Sequence, residues 1–144
     1  MDRRRNERRA LSENALPLPR SLRVIVADDE RDTVLTLIAI LRDEGHTVRG
    51  LHSGKEVLAA ISQDDPHAVI LDIDMPGQSG YELAREIRRT YGDKGPMLIG
   101  ISGRFTKHSD ALLARSTGFN HYCVKPCDPN DLLKLLKPLT YVHS

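Results

Sequence analysis

At 144 residues and a net charge of +1, the chain has the size of one ordinary domain, long enough to bury a proper core. Two Phe, four Tyr and no Trp argue against a base-stacking platform, and no apolar stretch approaches the roughly 20 residues of a membrane span. Cys123 and Cys127 make no disulfide framework, so a soluble cytoplasmic protein is expected, without a membrane partner.

Residues 1–20 hold six Arg against Asp2, Glu7 and Glu13, which leaves residues 21–144 at −2. Residues 1–21, closing with Pro17-Leu18-Pro19, read as a flexible basic N-terminal arm. The start lacks the apolar core of a secretory or twin-arginine signal. An arm that grips acidic partners is the competing reading. Acids interrupt its charge and no aromatics interleave it, so no nucleic-acid partner is expected.

From Leu22 the chain alternates strand and helix. Leu22–Ala27 is a β-branched run closed by Asp28-Asp29, a first strand. Thr33–Glu44 follows as a helix, with Val34, Leu37, Ile38 and Leu41 on one face and Gly45 as its stop. Residues 47–51 make a short second strand. Ser53-Gly54-Lys55-Glu56 then has capping-box spacing before a helix carrying Val57, Leu58 and Ile61.

Ala68-Val69-Ile70-Leu71 is a third strand, emptying through Asp72 into the turn-forming Asp74-Met75-Pro76-Gly77. Ser79-Gly80-Tyr81-Glu82 opens a third helix with Leu83 and Ile87. Met97–Ile101 forms a fourth strand ending at Ser102, and a fourth helix spans about Lys107 to Thr117. His121–Val124 is a fifth strand ending at Lys125. Asp128-Pro129 caps and opens a last helix with Leu132, Leu133, Leu135 and Leu136.

Five strands alternating with five helices imply an α/β, flavodoxin-like doubly wound parallel sheet of order 2-1-3-4-5. Asp28, Asp29, Asp72, Ser102 and Lys125 then all lie just after their strands, along one edge of the sheet. Three carboxylates crowded together need a counter-charge, which a hard divalent cation such as Mg²⁺ or Mn²⁺ supplies. With a carboxylate nucleophile, a lysine and a hydroxyl, the set suits acceptance of a phosphoryl group as an aspartyl phosphate. Each feature has a plainer reading. Asp28-Asp29 could only cap a helix, and Tyr122 could be a half-buried strand residue. The two thiols make a poor zinc site, and six scattered His serve packing or the surface.

Asp28-Asp29, Asp72-Ile73-Asp74-Met75-Pro76 with Gly80, Ser102-Gly103 and Tyr122-Cys123-Val124-Lys125-Pro126, in that order and spacing, resemble the receiver domain of bacterial two-component response regulators over about residues 22–138. The resemblance implies Asp72 as phosphoacceptor, Asp29 as direct metal ligand and Asp28 acting partly through water. The backbone carbonyl of Asp74 would be the third protein ligand. Ser102 would hydrogen-bond the phosphoryl group and Lys125 pair with it. Ser102 and Tyr122 would act as a switch that repacks the face built from the fourth helix, fifth strand and fifth helix. That face is also where a dimer would form.

The resemblance further implies a cis Lys125-Pro126 peptide, a histidine kinase or histidine phosphotransfer protein as donor, and a downstream protein target. The chain would be no enzyme beyond metal-dependent self-phosphorylation and autodephosphorylation. Asp74 and Arg104 fall at positions that modulate phosphoryl lifetime, and we expect them to pair across the cleft mouth. Cys127 stands where a larger apolar residue is frequent, so looser packing is expected there. Residues 139–144 read as a short tail, so the chain is expected to act as a stand-alone regulator, relay phosphate, or be a receiver from a hybrid kinase. The competing function is a haloacid-dehalogenase-type phosphohydrolase with Asp72 as nucleophile in Asp72-Ile73-Asp74, although there that motif precedes the acidic pair.

Overall fold

The structure, a computed structural model, describes residues 20–103 and 108–141. Five parallel strands, β1 (Arg23–Ala27), β2 (Thr47–Leu51), β3 (Ala68–Asp72), β4 (Met97–Ser102) and β5 (His121–Val124), form one sheet in the order β2-β1-β3-β4-β5. The helices are α1 (Arg31–Asp43), α2 (Val57–Asp64), α3 (Gly80–Tyr91), α4 (His108–Thr117) and α5 (Pro129–Leu136). The expected flavodoxin-like architecture is the one observed. No helix among the described residues is long and apolar enough to cross a membrane.

Side chains alternate along each strand, and both faces of the sheet are therefore apolar. Val24, Val26, Ala68, Ile70, Ile99 and Ile101 pack against α1 and α5 through Val34, Leu37, Leu41, Leu132 and Leu136. Ile25, Val69, Leu71 and Leu98 face the other way, onto Val57, Ile61, Leu83, Ile87 and Ala114 of α2, α3 and α4. Every residue of β3 is buried, which makes Ala68–Asp72 the rigid axis of the domain.

Local boundaries differ from the sequence reading in instructive ways. Helix α1 begins two residues early, because Glu30 takes the cap position and its carbonyl accepts from Val34 N–H. Gly45, at φ +91°, ends the chain's helical path as expected, its N–H bonding back to Arg42 O. The spacing at Ser53 does not make a capping box. Gly54–Glu56 is a 3-10 turn and Ser53 makes no side-chain cap bond. Here the tighter turn lets Gly54 bury close to Leu83 and Gln78.

Ser79 does cap α3, accepting from Tyr81 N–H at 3.2 Å, and Asp128 caps α5 through Asn130 N–H at 2.9 Å. Asp72 and Ser102 are the last residues of their strands rather than the first beyond them, paired with Ile101 and Val124.

The edge of the sheet away from these acids is tied by side chains. Asn120 Oδ1 accepts from Leu98 N–H at 2.8 Å and from the Arg88 guanidinium at 2.8 Å, linking α3 to the entry of β4. Asn120→Ala leaves Leu98 N–H without this partner and should cost about 1–2 kcal/mol, read as a lower urea midpoint at unchanged m-value.

Candidate functional site

Four of the expected residues meet at the carboxyl ends of β1, β3 and β5. Asp28 is fully buried and Asp72 nearly so, whereas Asp29 is exposed. Carboxylate oxygens of these three lie within 4.8 Å of one another. The Lys125 ammonium reaches in from the end of β5, 3.0 Å from Asp28 Oδ2 and 3.3 Å from Asp72 Oδ2. Its backbone N–H donates to Ser102 O at 2.7 Å, which fixes the root of the side chain to the neighbouring strand. The Lys125-Pro126 peptide is cis, as the resemblance implied.

Each carboxylate is also aimed by its own loop. Asp28 Oδ1 accepts from Glu30 N–H at 2.9 Å, and Asp72 Oδ1 accepts from Asp74 N–H at 3.0 Å. In both cases an acid at a strand end holds the amide two residues on, so that one oxygen is fixed and the other is left facing the cleft.

Asp28 Oδ2 is buried and, despite the nearby ammonium, makes no directed hydrogen bond. The Lys125 ammonium at 3.0 Å gives that oxygen a counter-charge, with no well-aligned hydrogen-bond donor beside it among the described residues. A buried carboxylate oxygen in that state, flanked by two more carboxylates, fits a hard oxygen-seeking cation. The donor set therefore suits Mg²⁺ or Mn²⁺, with Asp28, Asp29 and Asp72 as the side chains that would hold it.

The electrostatics follow from burial. Desolvation pushes the Asp72 carboxyl up to about 6 from an ordinary 3.8. The Asp74 amide and the Lys125 charge pull it down, and Asp28 adds to the rise. Burial alone would lower the Lys125 ammonium, but bonding and attraction from Asp28 and Asp72 override it and hold it above its usual value.

The remaining expected residues are placed differently. Ser102 Oγ donates to Asp74 Oδ2 at 2.6 Å, so its hydroxyl is directed to the cleft mouth. Tyr122 is half-buried, packed against the α2–α3–α4 side of the core and paired in register with Gly100, two residues before the Ser102 position. Arg104 lies outside the described residues. Cys127 is half-buried, and it lines a cavity of about 560 Å³ together with Glu30, Thr33, Leu37, Lys125 and Leu132.

Sequence reasoning missed Glu30, whose carboxylate lies 3.5 Å from the Lys125 ammonium while remaining largely exposed. The signal was a third acid directly after the aspartate pair. It also read the histidines as surface or packing groups. His46 Nδ1 and His67 Nδ1 in fact accept from Leu22 N–H and Arg23 N–H at 3.0 and 2.9 Å, holding the entry of β1.

Comparison with known proteins agrees with this geometry. The family model described as the response regulator receiver domain matches residues 24–137. The response regulator MprA of Mycobacterium ulcerans is 34% identical over 119 residues, covering 83% of this chain and 50% of MprA. A 14.6 kDa protein of Leptolyngbya boryana is 33% identical over 115 residues, covering 79% of this chain and 86% of its own length. The chain thus spans about half the length of the mycobacterial relatives it matches. Among solved structures, the chemotaxis response regulator CheY4 of Vibrio cholerae superposes with a TM-score of 0.75 at 24% identity, over 83% of this chain and 98% of that one.

Proposed function

Because the chain belongs to the response regulator receiver domain family, we propose that it accepts a phosphoryl group on Asp72 from a histidine kinase or a histidine phosphotransfer protein. One observation carries the assignment: a buried strand-end carboxylate with Asp28 and Asp29 oxygens within 4.8 Å and a lysine ammonium at 3.3 Å. Residues 22–138 would form the receiver, residues 1–21 a basic arm and residues 139–144 a tail, and the protein would work in the cytoplasm.

In the transfer, an Asp72 carboxylate oxygen forms the new bond to phosphorus while the bond from phosphorus to the donor's imidazole nitrogen breaks, the electron pair leaving with that nitrogen. Lys125 lies close enough to pair with the transferred oxygens, and a turned Ser102 hydroxyl would donate to another. A cation bound by Asp28, Asp29, Asp72 and the Asp74 carbonyl would neutralise charge on the phosphoryl oxygens. Phosphorylation would then be read out through Ser102 and Tyr122 as a population shift on the α4–β5–α5 face, where a downstream protein or a second copy docks.

The phosphohydrolase alternative finds no support. The receiver family model covers the acidic pair, Asp72 and Lys125 together, in the chain order that the hydrolase motif lacks.

Incubation with acetyl phosphate and Mg²⁺ should add one phosphoryl mass, removed by hydroxylamine and mapping to the peptide holding Asp72. No adduct, or turnover of diverse monoesters without one, would sink the assignment.

A pH dependence follows as well. Asp72 titrates near 6 in the metal-free protein, and only its carboxylate binds a cation. Mg²⁺ affinity should therefore be level above about pH 7 and fall about tenfold per pH unit below about 6, as measured by calorimetric titration. Asp72→Asn should remove that bend.

A further inference from the structure

A serine hydroxyl has one proton, so it donates to one acceptor at a time. In this structure the Ser102 proton is committed to Asp74 Oδ2 at 2.6 Å, the short distance of a charge-assisted bond. Asp74 also contacts the acceptor, its backbone N–H donating to Asp72 Oδ1 at 3.0 Å. Asp74 thus touches both Asp72 and the hydroxyl that the phosphoryl group would need. Its exposed position at the mouth lets it swing out into water once that bond breaks.

We propose that Asp74 is a latch on Ser102: a positioning residue whose carboxylate holds the hydroxyl in the resting orientation and must release it before the hydroxyl can reach a phosphoryl oxygen. This rests on the phosphoacceptor reading of Asp72 and goes beyond it, because it gives Asp74 a defined resting-state partner. A dianionic phosphoryl group on Asp72 would oppose the latch in two ways. It competes for the Ser102 proton as a stronger acceptor, and its charge repels the Asp74 carboxylate. The Ser102–Asp74 hydrogen bond then biases the resting population away from Ser102 turned inward, and removing it shifts that population without any phosphoryl group.

The test uses the full chain in three forms, wild type, Asp74→Ala and Asp74→Asn, each also in a Ser102→Ala background. The Ser102 amide and Tyr122 ring signals are followed by NMR without metal or phosphodonor, with Mg²⁺-beryllofluoride-loaded protein marking the switched end point. Asp74→Ala should move both signals toward that end point and raise the initial rate of phosphorylation by acetyl phosphate about tenfold, the worth of one such bond. Asp74→Asn keeps an oxygen acceptor and should stay within about threefold of wild type. In the Ser102→Ala background, Asp74→Ala should add nothing to the rate.

Unchanged Ser102 signals in Asp74→Ala, an Asn variant that matches Ala, or a full Asp74→Ala effect without the serine hydroxyl would each overturn the latch. The signals are read without a donor, so failure of Asp72 to accept phosphate would be seen separately, as absence of the adduct in wild type.

Discussion

Asp72→Asn is expected to abolish phosphoryl incorporation, to below about one hundredth of wild type, while making the metal-free protein more stable at pH 8. The first half follows from chemistry: an amide oxygen carries no charge to attack phosphorus, and the proposed nucleophile is the Asp72 carboxylate, almost fully buried at the end of β3 with an ammonium at 3.3 Å. The second half follows from burial. The folded protein raises the Asp72 carboxyl from 3.8 to about 6, so folding favours the neutral acid. The contribution of that preference is complete below about pH 3.8 and is lost as pH rises through about 6. Above pH 7 the ionised group therefore costs up to about 3 kcal/mol relative to a neutral one.

Asparagine is neutral at every pH and nearly the same shape. Loss of the Asp72 attraction for Lys125 offsets part of the gain, since that ammonium keeps Asp28 at 3.0 Å and Glu30 at 3.5 Å. The net expectation is about 1–2 kcal/mol in favour of Asp72→Asn at pH 8, shrinking to nothing near pH 4. Urea unfolding of both proteins at the two pH values checks it. A variant less stable than wild type at pH 8 would show that Lys125 pairing outweighs desolvation at this site.

How much of this could be read from residues alone depends on whether the signal is local. The apolar run Ala68–Leu71 closed by an acid defines β3 because a fully buried strand needs continuous hydrophobicity, and all five of its residues are buried. The order of strands follows from alternation and handedness, and it brings Asp28, Asp29, Asp72 and Lys125 to one edge. Side-chain partner choice is different, because it depends on distances of a few tenths of an ångström between segments far apart in sequence. Ser102 and Asp74 are 28 residues apart and meet at 2.6 Å, and nothing in either local pattern distinguishes that contact from one to Asp72. The Lys125–Glu30 approach and the two histidine acceptors at the entry of β1 were hidden for the same reason. At Ser53 the local signal was present and misleading, because burial of Gly54 against Leu83 and Gln78 decided the first turn.

Gly80→Ala should be the most damaging single-methyl change near the site. A Cβ at Gly80 would stand 2.5 Å from Ile73 Cα and 3.2 Å from the carbonyl oxygens of Asp72 and Ile73. These are backbone atoms, and they cannot turn aside as a side chain would. Gly80 N–H also donates to Ile73 O at 2.9 Å, so the start of α3 is bonded directly to the residue after Asp72. Relief requires moving α3 or the Asp72–Asp74 segment, against a core in which Leu83, Ala84 and Ile87 are fully buried. Overpacking of this kind costs about 3 kcal/mol, which lowers Tm by roughly 10 °C in a domain of this size.

Gly77→Ala separates crowding from backbone strain. Gly77 has φ +93° but nothing within 4 Å of a built Cβ, so it should lose only about 1–2 kcal/mol. If the displaced backbone is the segment that carries Asp72 and the Asp74 carbonyl, Gly80→Ala should also weaken Mg²⁺ binding at temperatures where the variant remains folded, and Gly77→Ala should do so far less. Equal Tm losses for the two variants would mean that the loop yields at Gly80 as freely as at its exposed tip, and that α3 is not what holds Asp72 in place.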